Sequence, residues 1–185
     1  MQAELSPKRF GHTVGVVHAA ERLAEIYGID KERARIAAWV HDVAREWSTD
    51  TLVAVSEKVE VPAGFGGIPK LLHGPIAAVL LRDWFGIEDD EMANAIRFHT
   101  TGRVQMTTMD KIIYLADAIE PGRDYDAVGR IRELANSDLD LALAESMDDT
   151  LRYLIERHKP IFPLTIMVRN DLWERISARE REATL

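Results

Sequence analysis

Apolar residues recur at helical spacing along most of this 185-residue chain, whereas alternation of apolar and polar residues never holds for more than a few positions. A helix buries a stripe with a period of 3.6 residues and a strand buries every second residue, so this pattern predicts an all-α fold. The punctuation agrees. Ser6-Pro7 reads as a cap followed by proline at the first helical position, and Phe10, Val14, Val17, Leu23 and Ile26 continue the stripe to Gly28, giving a helix over 7–27. Asp30 opens a second helix through Ala34, Ala37, Ala38 and Val40 to about Arg45, and Ser48 a short third ending near Lys58. VPAGFGGIP (61–69) is a loop. Beyond it, helices are predicted from Ile76 to Phe85, from Glu88 to about His99, and over 107–119, 126–135, 138–157 and 161–181. Glu120-Pro121-Gly122 is a turn that no helix readily crosses.

With 46% hydrophobic residues and no linker or repeat, the chain is expected to form one helical bundle over 1–185. It has no cysteine, which removes disulfides, thiolate metal sites and cysteine nucleophiles, so any metal must be held by His, Asp, Glu or water. No stretch approaches the roughly 18–20 apolar residues of a membrane span, and the N-terminus lacks the apolar segment of a signal peptide. The expected location is the cytoplasm, with no membrane partner. A net charge of −8 argues against nucleic acid and still permits a small phosphorylated anion as ligand where basic residues cluster locally.

His12, His41-Asp42 and Asp117 fall on three different predicted helices. Such nitrogen and oxygen donors suit iron(II), manganese, zinc or cobalt, and an incomplete ligand shell leaves room for water and a phosphate oxygen. His41 and Asp42, about 100° apart on a helix, can contact one ion or two neighbouring ions. They close the apolar run Ile36-Ala37-Ala38-Trp39-Val40, where two ionisable groups are costly to bury without a partner.

The order His12, His41-Asp42, Asp117 resembles the HD superfamily of metal-dependent phosphohydrolases. The longer strings KRFGHT (8–13), LLHGP (71–75), FHTTGR (98–103) and KIIYLADAIEPGRDY (111–125) resemble one branch of it, the YqeK family of symmetrical diadenosine tetraphosphate hydrolases. This resemblance runs from Lys8 to about Asn170 and implies a metal-binding core over about 7–125 followed by C-terminal helices over about 126–181. It further implies a divalent cofactor, iron first and manganese, cobalt or zinc as alternatives, with a second ion left open. The ligands would be His12, His41, Asp42 and Asp117, of which His41, Asp42 and Asp117 also serve catalysis. The substrate is then a dinucleoside tetraphosphate and the product ADP, and a homodimer is compatible with the family.

Other residues take their roles from the same strings. His73 and His99 are expected at loop edges, as phosphate contacts or ligands to a second ion, with Thr100 beside them. Arg9, on the face of His12, and Arg123, six residues beyond Asp117, are the expected phosphate partners, because a guanidinium pairs with phosphate in a fork. Arg169 and Asn170 resemble a segment that reaches the nucleotide. Lys111 is a candidate support for Asp117, Tyr114 a core residue, and Arg45 a retained charge of open role. His18 faces away from His12, His158 is a helix-end cation, Trp39, Trp47, Trp84 and Trp173 are expected in the core, and the acidic runs 88–91 and 148–149 on solvated faces. The metal residues alone would serve equally in an HD enzyme for another nucleotide or in a nucleotide-binding module without turnover.

Overall fold

The computed structural model describes residues 4–183. Nine α-helices follow one another, with no strand among the described residues: α1 (Pro7–Tyr27), α2 (Lys31–Val40), α3 (Thr49–Ser56), α4 (His73–Phe85), α5 (Asp90–Arg97), α6 (Thr108–Ile119), α7 (Val128–Leu134), α8 (Leu139–Glu156) and α9 (Pro163–Ala183). The caps are those the sequence signals. Ser6 Oγ accepts from the Arg9 amide, Asp30 from Glu32 and Arg33, Ser48 from Thr51 and Asp138 from Leu141. Gly28 and Gly86 close α1 and α4 in the left-handed region, which glycine enters without strain.

α6 is the central element. Met109, Ile112, Ile113, Leu115 and Ala116 bury most of its circumference, as an apolar helix with few polar positions must, and it packs against α1, α2, α5, α7 and α8. The main apolar cluster runs from Val16 on α1 to Ile176 on α9, and a smaller one joins Ala44, Leu52, Phe65, Leu71, Leu72 and Ile76 beneath the loop at 61–69. No helix among the described residues is long and apolar enough to cross a membrane.

Several sequence expectations need correction. α2 ends at Val40 rather than near Arg45, and residues 41–46 form tight turns, with Val43 bonding back to Val40 and Arg45 to Asp42. The Ala38 carbonyl, which a continuing helix would offer to the Asp42 amide, accepts the His41 imidazole instead. α4 starts three residues earlier than predicted, so His73 lies in its first turn. Trp84 is 44% exposed and outside the core, whereas Trp39 packs against Phe10. The acidic runs also do more than face solvent. Asp89 caps α5 and, with Glu91, binds Arg33 of α2, while Asp148 accepts from both Arg169 and Trp173. Lys111 pairs with Asp140 on α8 at 2.5 Å and takes no part around Asp117.

One close approach sets up the site. A Cβ on Gly74 would lie 2.7 Å from the Arg97 carbonyl oxygen, so only glycine lets the start of α4 meet the end of α5 this closely. That contact brings His73 beside His99.

Candidate metal centre

Four helix ends and an early turn of α1 deliver their polar residues to a single point. His12 comes from the second turn of α1, His41 and Asp42 from the turn after α2, His73 from the first turn of α4, His99 from the residues after α5, and Asp117 from the last turn of α6. His41, Asp42, His73 and His99 are all buried, at 0–4% exposed, a placement that charged or polar groups tolerate only with partners.

The imidazoles share one arrangement. His41, His73 and His99 each direct Nδ1 at the carbonyl three residues earlier, that of Ala38 at 2.6 Å, Lys70 at 2.5 Å and Ile96 at 2.8 Å. His12 directs Nδ1 at Glu120 Oε1, 3.1 Å away. A carbonyl or carboxylate can only accept, so each Nδ1 carries the proton and each Nε2 is left as a donor of its lone pair. All four Nε2 atoms face the two carboxylates. His12 Nε2 lies 3.0 Å from Asp117 Oδ1 and 3.9 Å from Asp42 Oδ2, and His41 Nε2 is 3.7 Å from Asp42 Oδ2. On the other side, His73 and His99 Nε2 approach Asp42 Oδ1 at 3.1 and 3.6 Å, and each other at 3.0 Å. Thr100, exposed, contacts His99 Nε2 through its hydroxyl at 3.2 Å.

The electrostatics follow from burial. Desolvation alone would raise the Asp42 carboxyl, but the neighbouring imidazoles, His41 foremost and then His73 and His99, outweigh it and hold the group well below the ordinary carboxylate range. Asp117 is likewise opposed by burial yet lowered, by His12 and then His41. Burial drives His41 down to about 4 and also lowers His73. In His12 and His99 burial is overcome by the neighbouring carboxylates, and both are raised.

The donors fit a divalent cation. His12 Nε2 and His41 Nε2 are buried without a hydrogen-bond partner, and buried polar nitrogens are seldom left so. Three donor groups have all their ligand atoms within 4.8 Å of one another: His12–His41–Asp42, His41–His99–Asp117 and Asp42–His73–His99. The four ligands expected from sequence therefore converge, and His73 and His99, at the edges of α4 and α5 as expected, are buried and point into the same cluster.

The arginines divide. Arg9 donates to Asp42 Oδ2 at 2.8 Å, and Arg123 grips Asp117 twice, through the carbonyl at 2.9 Å and the carboxylate at 2.6 Å. Both stand at the rim of the cluster. Arg169 instead binds Asp148, with Asn170 beside it, and neither contributes a contact to the cluster among the described residues. His18 is exposed on α1, as expected, and Tyr114 is buried.

Two supporting residues were missed by sequence reasoning. Glu120, 5% exposed, orients His12 and also accepts from the Gly122 amide, and a Cβ on Gly15 would come within 2.5 Å of its Oε2, so α1 needs glycine there. Arg132 of α7 donates to the carbonyls of Ile119, Glu120 and Arg123, fixing the turn that carries Glu120 and Arg123. Glu120 lay inside a string read only as a turn; Arg132 had no local signal.

Comparison with known proteins gives the same picture. The HD domain family model matches residues 9–122. The chain is 38% identical over 173 residues to the symmetrical bis(5'-nucleosyl)-tetraphosphatase of Bacillus subtilis, covering 93% of each chain, and 34% identical to that of Staphylococcus aureus, covering 88% and 86%. A crystal structure from Clostridium acetobutylicum, described as a predicted HD superfamily hydrolase involved in NAD metabolism, superposes with a TM-score of 0.87 at 40% identity, over 94% of this chain and 93% of that one. With its histidines and aspartates gathered on one point and likeness along nearly its whole length, this chain belongs to the HD domain family, in the branch of the symmetrical bis(5'-nucleosyl)-tetraphosphatases.

Proposed function

We propose that this protein is a metal-dependent phosphohydrolase that cuts diadenosine tetraphosphate in the middle to give two ADP, with iron as its resident ion. The observation that carries the proposal is the convergence of four imidazole Nε2 atoms on Asp42 and Asp117, two of them buried without a hydrogen-bond partner. The likeness to curated symmetrical tetraphosphatases supports the substrate.

His12, His41, Asp42 and Asp117 would hold the ion. Asp42, His73 and His99 form an adjoining donor set, in which a second ion would share Asp42. A bound divalent ion supplies Lewis acidity, lowering the pKa of a coordinated water toward neutrality and polarising a phosphoryl oxygen. The rest falls to the chain. Asp42, anionic through its histidine neighbours, orients the attacking water. Arg9 and Arg123, already directed at the two carboxylates, are placed to pair with phosphate oxygens and take up charge as it moves to the leaving group. The water oxygen bonds to one central phosphorus and gives up a proton to solvent, the bridging P–O bond breaks, and ADP departs with the bridging oxygen while the second ADP carries the new one.

Two manipulations test this. Chelation should abolish turnover of diadenosine tetraphosphate, and iron(II) or manganese should restore it. Asp42→Ala should lower turnover by at least a hundredfold with the far-ultraviolet circular dichroism of the helices retained. Undiminished turnover by a folded, metal-loaded Asp42→Ala protein would contradict the assignment.

A further inference from the structure

α6 delivers Asp117 from its last turn, so the anionic substrate proposed above meets the negative end of that helix's dipole. Neither usual remedy is present there. The last turn holds no basic residue, and the chain leaves through Glu120 in an extended conformation (φ −51°, ψ 154°) rather than through a left-handed glycine whose cap would satisfy the last carbonyls. Three later side chains take over, one carbonyl each. Arg123 Nε donates to the Asp117 carbonyl at 2.9 Å, the Tyr125 hydroxyl to that of Ala118 at 3.0 Å and Arg132 Nε to that of Ile119 at 2.9 Å.

Arg132 reaches further than the other two. Its Nη2 also donates to the carbonyls of Glu120 at 2.7 Å and Arg123 at 3.0 Å, so one half-buried guanidinium spans the turn from the helix end to Arg123. The side chains of those same two residues serve the cluster: Glu120 accepts from His12 Nδ1, and Arg123 grips the Asp117 carboxylate. A planar fork can meet three carbonyls at once, whereas a lysine ammonium offers its protons from one point. Arg132 lies on α7, beyond residues 9–122 that match the HD family model, so this hold comes from outside the matched segment.

We infer that Arg132 is a positioning residue for metal and substrate together, acting through Glu120 on the His12 ligand and through Arg123 on the phosphates, while its charge offsets the negative end of α6. The inference rests on the functional proposal above. It divides into a metal branch and a phosphate branch, which separate experiments read.

Arg132→Met, which keeps the length of the stem and removes the guanidinium, tests both branches by double-mutant cycles. In competition with a chelator the variant should hold iron(II) or manganese about tenfold more weakly, and this loss should shrink below about twofold when Glu120 is already Gln. With the protein saturated with metal, KM for diadenosine tetraphosphate should rise about tenfold, with kcat changed less, and the rise should shrink below about twofold when Arg123 is already Ala. Arg132→Lys, which keeps the charge without the fork, should show the same pattern and carries the test if Arg132→Met fails to fold. Losses that add in full in both backgrounds, beside a lowered melting temperature, would make Arg132 a stabilising residue only and overturn the inference. A wild-type protein that binds metal but does not cleave the dinucleotide overturns the functional proposal beneath it, and the chelator cycle then decides on Arg132 by itself.

Discussion

Each histidine of the cluster depends on a second residue to choose its tautomer. Three rely on backbone carbonyls, which substitution does not remove, and His12 relies on the Glu120 side chain. Replacing Glu120 by Gln introduces an NH₂ where either the His12 Nδ1–H or the Gly122 N–H needs an acceptor. Partners of this kind are worth about 10–100-fold in metal affinity. Competition with a chelator should show a loss of that size in Glu120→Gln, and unchanged affinity would reduce the contact to packing. Arg123 belongs to the opposite case. Arg123 is none of the proposed metal donors, and a charge-assisted hydrogen bond to phosphate is worth about 1.5–3 kcal/mol, so Arg123→Ala should raise KM by about tenfold or more while metal content holds. Equal loss of metal would mean that Arg123 acts by fixing Asp117.

At the scale of elements, what counts is how helix ends are anchored, since four of them carry the site. α5 presents His99, and its start is tied to α2 by Asp89, which caps the Met92 amide at 2.9 Å and accepts two bonds from Arg33. The Arg33 guanidinium, with help from the Met92 amide and against partial burial, holds Asp89 below its ordinary pKa. A carboxylate lowered on folding stabilises fully above its unfolded value of about 3.9 and loses that contribution as pH falls through the lowered folded value. Asp89→Ala should therefore cost about 1 kcal/mol near neutrality, read from denaturant melts, and the gap from wild type should close on acidification below about pH 3.9. A gap that persists unchanged to pH 2 would show that the Asp89 charge is not its source. The sequence signalled this element but not its tie: acids in a first turn are legible as a cap, whereas a partner 56 residues away is not.

For the whole molecule, helix order and most boundaries were legible because caps, glycine stops and apolar period are local properties. The boundary after α2 was not. There a side chain, His41, displaces a backbone amide, and the outcome depends on what the imidazole faces across the bundle. The same distinction governs the site. His12, His41, Asp42 and Asp117 stood out through residue type and family strings, while the burial of His73 and His99 follows from the close passage of Gly74 past Arg97, a contact between helices. Arg169 resembles a nucleotide contact, and in the fold it pairs with Asp148. The reaction proposed for this protein is a metal-dependent cut at the middle of a four-phosphate chain. The most direct test is to give purified protein, loaded with iron(II) or manganese, diadenosine tetraphosphate and to separate the nucleotides by chromatography. ADP as the sole product, absent after chelation, is the predicted result; ATP together with AMP would contradict it.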